Sequence, residues 1–94
     1  MAASAGQSRY DIEISETARQ DLQQLPEEAR PLVWDIIDSL EAQPYPAQAE
    51  ALSDLPGRYR IVVVTPSRRN WHILYRVVNP RNHIVKIYRV RVES

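Results

Sequence analysis

Residues 58–92, RYRIVVVTPSRRNWHILYRVVNPRNHIVKIYRVRV, decide the fold of this chain. Three segments within this stretch are rich in β-branched and aromatic residues, and short polar segments separate them. The pattern predicts three strands and two turns, the strands at 58–64, 71–78 and 83–92 and the turns at 65–70 and 79–82. Because consecutive strands joined by short turns pair antiparallel, the stretch predicts a three-stranded meander.

Side chains alternate between the two faces of a strand, so each predicted strand can be divided between a covered face and an open face. On the first strand Tyr59, Ile61 and Val63 suit a face covered by helices, which leaves Arg58, Arg60 and Val62 open. On the second strand one face carries His72, Leu74 and Arg76. On the last strand strict alternation groups Arg89 and Arg91 with His83, Val85 and Ile87. The register between strands stays open, but each strand can contribute Arg or His to one cationic surface.

The N-terminal half predicts a strand followed by two helices. Tyr10–Ile14 alternates apolar and polar residues, as a half-buried strand does. Ser15 is a good helix cap, and the first helix is predicted from Glu16 to about Leu25, before Pro26.

An apolar stripe predicts the second helix, which extends to about Ala42 and carries Val33, Ile36, Ile37 and Leu40 at i, i+3, i+4 and i+7. Its start stays open, because Pro31 fits either the first helical position or a kink after an earlier start. Trp34, beside the stripe, suits either the edge of the core or a partner surface. Since the connection between the helices is short, they should form an antiparallel hairpin.

The order of these elements predicts an α+β fold. The N-terminal strand can join the antiparallel meander, and the helical hairpin can cover one face of the sheet. Ninety-four residues make a single domain, which we place at 10–94 after a flexible N-terminal tail at 1–9.

The charges are divided between the two halves of the chain. Residues 1–54 hold three Arg against eleven Asp and Glu, a net charge of −8, whereas residues 55–94 hold nine Lys and Arg against Glu93, a net charge of +8. The cationic half could attract phosphate groups, and eight of its nine cations are Arg, whose planar fork binds phosphate oxygens in pairs. The alternative is that the two halves neutralise each other through surface ion pairs.

Composition excludes several classes of protein. The chain contains no cysteine, which rules out disulfides and thiolate zinc sites and fits a reducing compartment. Its longest apolar runs are far shorter than the roughly 20 residues of a membrane span. Met1–Arg9 lacks the basic start and apolar stretch of a signal peptide. We therefore expect a cytoplasmic protein without a metal, a cofactor or a membrane segment.

Several segments, taken in order, resemble the RelE/ParE superfamily of bacterial toxins. They are YDIEIS with Ala18 and Leu22, Leu25-Pro26, Leu40 with Pro44, LSDLPGRYRI (52–61), NWHILYRVV (70–78) and IVKIYRVR (84–91). No single motif is sharp, and the specificity lies in their order over nearly all of residues 10–92.

The resemblance implies a metal-independent ribonuclease that cleaves mRNA at the ribosome and is held inactive by an antitoxin. In such toxins the 2′-hydroxyl of the RNA is the nucleophile, a base removes its proton, cations stabilise the phosphate and an acid protonates the leaving oxygen. By position, the resemblance assigns catalytic roles to Arg60, His72 and Arg91. The cations expected to bind the substrate are Arg58, Arg76, Arg89, Arg68 and Arg69.

Each assignment has a structural alternative. Arg60 and Arg91 could be solvated strand residues, and His72 could be a structural histidine, although histidine changes charge near neutral pH as acid–base catalysis requires. The chain also departs from the family, because Val62 stands where a second cation is common and no counterpart of the frequent C-terminal Tyr follows Arg91. Two further functions therefore stay open: a ParE-like toxin that inhibits DNA gyrase by binding, and a non-toxic binding module of the same fold.

Overall fold

The three long strands of the C-terminal half form the centre of a five-stranded sheet. The computed structural model describes residues 9–79, 81 and 83–93. Its elements, in chain order, are β1 (Asp11–Ile14), α1 (Glu16–Gln23), α2 (Arg30–Ser39), β2 (Glu50–Ala51), β3 (Arg58–Val64), β4 (Asn70–Asn79) and β5 (Ile84–Val92). The sheet order is β1-β5-β4-β3-β2, with β1 parallel to β5 and the other neighbours antiparallel. The predicted α+β architecture and meander are confirmed, while the tail at 1–8 and parts of the turn at 79–82 lie outside the described residues.

The helix boundaries follow from local chemistry. The Ser15 side chain accepts a hydrogen bond from the amide of Ala18 at 3.1 Å, which satisfies one of the free donors at the start of α1. Pro31 lies in the first turn of α2, so the helix starts beside it without a kink. Both helices end two to three residues earlier than predicted, and Leu25 is buried in the turn after α1.

The core lies between the helices and one face of the sheet. Helix α2 buries Val33 and Ile37 completely, and Leu40 follows directly after its end, whereas Ile36 of the predicted stripe is only partly buried. Trp34 is also partly buried, packed at the edge of the core. From the sheet the core receives Ile61, Val63, Trp71, Ile73, Tyr75, Val77, Val85, Ile87 and Val90. The opposite face of the sheet is left open.

A bulge in β5 overturns the strict alternation expected for the last strand. Leu74 pairs with Arg89 but Tyr75 pairs with Ile87, so Tyr88 is an additional residue in β5. After the bulge it is Val90 that turns to the core, and Arg89 and Arg91 no longer share a face with Val85 and Ile87. The strand also begins at Ile84, because His83 is a turn residue with a φ of 58°.

A buried tyrosine ties the long loop after α2 to the sheet. The Tyr75 hydroxyl donates a hydrogen bond to the carbonyl of Pro44 at 2.8 Å, and burial raises the pKa of Tyr75. Tyr59 stacks on Tyr75, and Tyr45 packs edge-on against Tyr59. The loop then forms the short strand β2, which sequence analysis missed, and places Glu50 opposite Arg60 on β3.

Candidate functional site

The register of the meander places the candidate residues of three strands side by side on the open face. Val62 on β3 lies opposite His72 on β4, and His72 lies opposite Arg91 on β5. The next row pairs Arg60 with Leu74. Directly opposite residues of neighbouring strands have their Cβ atoms about 5 Å apart, so these side chains share one surface.

A cavity of about 370 Å³ opens on this face, and we call it the cleft. Its lining consists of Leu52, Arg60, His72, Leu74, Arg91, Val92 and Glu93. It thus brings together the three residues predicted to be catalytic, one from each strand of the meander.

Glu93 is a member of the cleft that sequence analysis did not single out. Its Oε1 lies 2.9 Å from Nε2 of His72 and accepts a hydrogen bond from Nδ2 of Asn70 at 3.3 Å. These contacts, first the one with His72 and then the one with Asn70, hold the pKa of Glu93 below its ordinary value. The sequence contained one signal that could have pointed to Glu93, because it is the single acidic residue of the cationic half.

Arg60 faces a second carboxylate. Its Nε donates to Oε1 of Glu50 at 3.0 Å, and its Nη2 contacts the same oxygen. Within the described part of the chain, Arg91 makes no ion pair with a carboxylate. The cleft therefore combines a guanidinium with no ion-pair partner among the described residues, one guanidinium held by Glu50, and an imidazole held by Glu93.

The residues predicted to bind substrate lie in three separate places. Arg58 and Arg76 line another groove of the open face, further along the same strands. Arg89 turns to α1, where its Nε lies 3.2 Å from Oδ2 of Asp21. Arg68 and Arg69 occupy the turn between β3 and β4, outside the lining of the cleft.

The arrangement has the groups needed for acid–base chemistry on a phosphate ester. An imidazole can move a proton near neutral pH, and guanidinium groups can stabilise the charge of a pentavalent phosphate. Among residues 9–79, 81 and 83–93, no cluster of three His, Asp or Glu side chains is placed to hold a metal ion. In the same residues, no helix has the length and apolar composition to span a membrane.

The lowered pKa of Glu93 predicts how the stability of the fold depends on pH. Because the folded pKa lies below the ordinary value of 4.5, the contribution of Glu93 to stability is present above 4.5 and is lost as the pH falls through the folded pKa. We expect the Glu93→Gln variant to be less stable than wild type near neutral pH, and the difference to shrink below pH 4.5. Urea denaturation from about pH 7 to about pH 3 measures this difference.

Glu27→Gln, a change of the same kind at an exposed position between the helices, is the matched control. A difference between wild type and Glu93→Gln that stayed constant across the range would contradict the assignment of the hydrogen bonds to the ionised carboxylate.

Comparison with known proteins gives structural matches. No model of a protein family matches the sequence, and no curated protein matches it significantly. The chain is similar to a chain of the intact RelBE toxin–antitoxin complex of E. coli, with 18% identity, a TM-score of 0.75, and coverage of 90% of this chain and 98% of the other. It is also similar to a chain of the RelBE2 toxin–antitoxin complex of Mycobacterium tuberculosis, with 25% identity, a TM-score of 0.73, and coverage of 90% and 99%.

A third match is archaeal, a chain of the RelE–RelB complex of Pyrococcus horikoshii, with 20% identity, a TM-score of 0.65, and coverage of 88% and 93%. The fold and the cleft define a small α+β protein with helices on one face of its sheet and a cationic site on the other. More narrowly, the chain has the RelE-like toxin fold, and the resemblance found in its sequence is confirmed at the level of the fold.

Proposed function

We propose that this chain is the toxin of a type II toxin–antitoxin system and a metal-independent endoribonuclease that cleaves mRNA at the ribosome. The observation that carries the proposal is the cleft, where Arg60, His72 and Arg91 from three strands line one cavity. A phosphodiester in such a cavity would meet cations from two sides and an imidazole between them.

In the proposed reaction the 2′-hydroxyl oxygen attacks the adjacent phosphorus and its proton passes to a base. The P–O5′ bond breaks, the leaving oxygen takes a proton from an acid, and the products are a 2′,3′-cyclic phosphate and a 5′-hydroxyl. His72 carries out one of these proton transfers. Because its Nε2 faces Glu93, its Nδ1 is the nitrogen left for the substrate, and the carboxylate orients the ring.

The two guanidinium groups have different tasks in this proposal. Arg91, which forms no ion pair with a carboxylate of the described residues, binds a non-bridging oxygen of the phosphate. Arg60 must exchange its contact with Glu50 for one with the phosphate, and this exchange is feasible because both side chains are partly exposed.

An antitoxin is the proposed protein partner, and the cytoplasm is the proposed location. Support for the antitoxin comes from the similar structures, three of which are complexes of a toxin with its antitoxin. An acidic antitoxin segment would be attracted to the cationic half of this chain. It could also pair with the edge of β3 beyond the two residues that β2 covers.

One observation favours a second candidate, inhibition of DNA gyrase by binding. Val62 lies opposite His72 and is 42% exposed, and Val64 on the same face is 60% exposed. These apolar side chains suit contact with a protein surface better than contact with phosphate.

Induced expression in a bacterial host separates the candidates. For the wild type we expect cuts in cellular mRNA, spaced by codons and visible by primer extension within minutes, and none for the double variant Arg60→Ala/His72→Ala. Relaxed or broken DNA with intact mRNA would support the gyrase candidate. Normal growth with intact mRNA and DNA would leave only a binding module and would refute the proposal.

A further inference from the structure

A second groove of about 410 Å³ lies on the same open face as the cleft, further along the strands. It is lined by Glu13, Ser15, Thr17, Arg58, Arg76, Val78, Lys86 and Tyr88. Three of these side chains are cations and one is an anion, so the groove is cationic. None of its lining residues belongs to the lining of the cleft.

The three cations of the second groove stand directly opposite one another in the sheet. Arg58 on β3 pairs with Arg76 on β4, and Arg76 pairs with Lys86 on β5. Like charges in directly opposite positions destabilise a sheet. Within the residues that the structure describes, none of the three forms an ion pair with a carboxylate, and Glu13 on β1, which lies opposite Lys86, offsets only part of the repulsion. A bound anion would relieve this repulsion.

An aromatic ring holds one of these cations in place. The guanidinium carbon of Arg58 lies 4.9 Å from the centre of the Tyr88 ring. A cation–π contact of this kind engages no hydrogen-bond acceptor, so N–H groups of the guanidinium stay available for the oxygens of a phosphate. The β5 bulge, which inserts Tyr88 on the open face, therefore also shapes this groove.

The spacing between groove and cleft suits one extended polyanion. The row of Arg58 and the row of Val62 are four residues apart along β3, about 13 Å at roughly 3.3 Å per residue. A stacked nucleic-acid strand rises about 3.4 Å per nucleotide, so about four nucleotides or fewer span this distance. Val78 is the one aliphatic side chain in the lining, which disfavours the apolar anchors of a docked peptide.

We infer that the second groove is a separate phosphate-binding site for the RNA strand whose neighbouring phosphodiester occupies the cleft. This inference rests on the proposed function for the identity of the strand. Arg58, Arg76 and Lys86 hold a phosphate two to four nucleotides from the bond that is cut. The site thereby sets a minimum length for substrates that bind well.

Binding of 2′-O-methyl RNA, which cannot be cleaved, tests the site. We expect Arg76→Ala and Lys86→Ala each to weaken binding of an oligonucleotide of about eight nucleotides by about tenfold, the effect of losing one charge-assisted hydrogen bond. Each variant should also reduce the dependence of log K on log salt by about 0.7, the value for one phosphate contact with a single strand. A trinucleotide spans only one site at a time and can still occupy the intact cleft, so it should lose much less affinity in these variants than the long oligonucleotide does.

Arg19→Ala on α1 is the matched control, since it removes one exposed Arg outside both sites and should leave both affinities unchanged. The second site would be refuted if the variants lost the same affinity for the long and the short oligonucleotide, or lost affinity for neither. It would also be refuted if an acidic peptide bound the wild type more tightly than the RNA does and the Arg76→Ala change weakened that binding. If the length-dependent loss occurs in a chain that does not cleave RNA, the proposed nuclease fails while the phosphate-binding site stands.

Discussion

Replacement of His72 by alanine is expected to lower the rate of RNA cleavage by about 100-fold or more. The imidazole is the acid–base group of the cleft in the proposed reaction, and loss of a positioned acid or base usually costs this much. The change removes a side chain that is about one-fifth exposed and contacts Glu93 at the end of the sheet, so the fold should persist. Partial recovery of cleavage by the variant on addition of free imidazole would show that the His72 side chain takes part in proton transfer.

Arg60→Ala should lower cleavage to a similar degree, about 100-fold, because in the proposed reaction Arg60 stabilises the charge of the transition state. Arg60→Lys keeps the charge but loses the planar fork, so its activity should lie between those of Arg60→Ala and the wild type. A gel assay of cleavage in a translation extract that contains ribosomes measures all of these rates.

His83→Ala is the matched control for the histidine. His83 lies in the turn before β5, packs edge-on against Tyr10, and is absent from the lining of the cleft. Its removal should leave cleavage unchanged. Unchanged rates in both His72→Ala and Arg60→Ala would refute the assignment of the active site.

The strands of the meander could be predicted from the sequence because local signals determine them. In β3 and β4 every second side chain is apolar and turns to the core, and the observed bounds differ from the predicted ones by one residue at most. The Ser15 cap and the stripe of α2 are equally local. Such features depend on neighbours in sequence, which one chain displays in full.

The β5 bulge and β2 could not be predicted, because tertiary contacts determine both. Nothing in YRVR marks Tyr88 as the additional residue, since a chain with strict alternation would have the same composition. The two residues of β2 carry no strand pattern, and they extend along β3 because the Tyr45, Tyr59 and Tyr75 rings and the Pro44 carbonyl hold the loop there.

Three members of the candidate site could be predicted from the sequence, but Glu93 and the geometry of the site could not. The resemblance to the RelE/ParE superfamily assigns Arg60, His72 and Arg91 to the site by position, yet their convergence depends on the register of two strand pairings. Carboxylates from distant segments also decide which arginines are held in ion pairs, since Glu50 pairs with Arg60 and Asp21 pairs with Arg89. Neither pairing has a signal in the sequence, because both acids lie in the anionic half among nine others.

Ile73→Ala is expected to lower the free energy of unfolding by about 2–5 kcal/mol. Ile73 is fully buried at the centre of β4 and lies opposite Ile61 on β3 and Val90 on β5. Its truncation removes apolar contacts and leaves a cavity that the rigid sheet can fill only in part. Because a domain of this size has about 5–15 kcal/mol of stability, the loss would be a large fraction of the total. Urea denaturation followed by tryptophan fluorescence measures it, and Trp71 lies on the same face of the same strand.

Two control variants make this prediction a test of which face of the sheet is covered. Ile73→Val keeps most of the volume and should cost about 0.5–1.5 kcal/mol. Val64→Ala removes a side chain on the open face and should change the stability by no more than about 0.5 kcal/mol. A slip of one residue in the pairing of a strand exchanges its two faces, so equal losses for Ile73→Ala and Val64→Ala would contradict the observed register. They would also contradict the cleft, since His72 reaches the open face only because Ile73, its neighbour in β4, turns to the core.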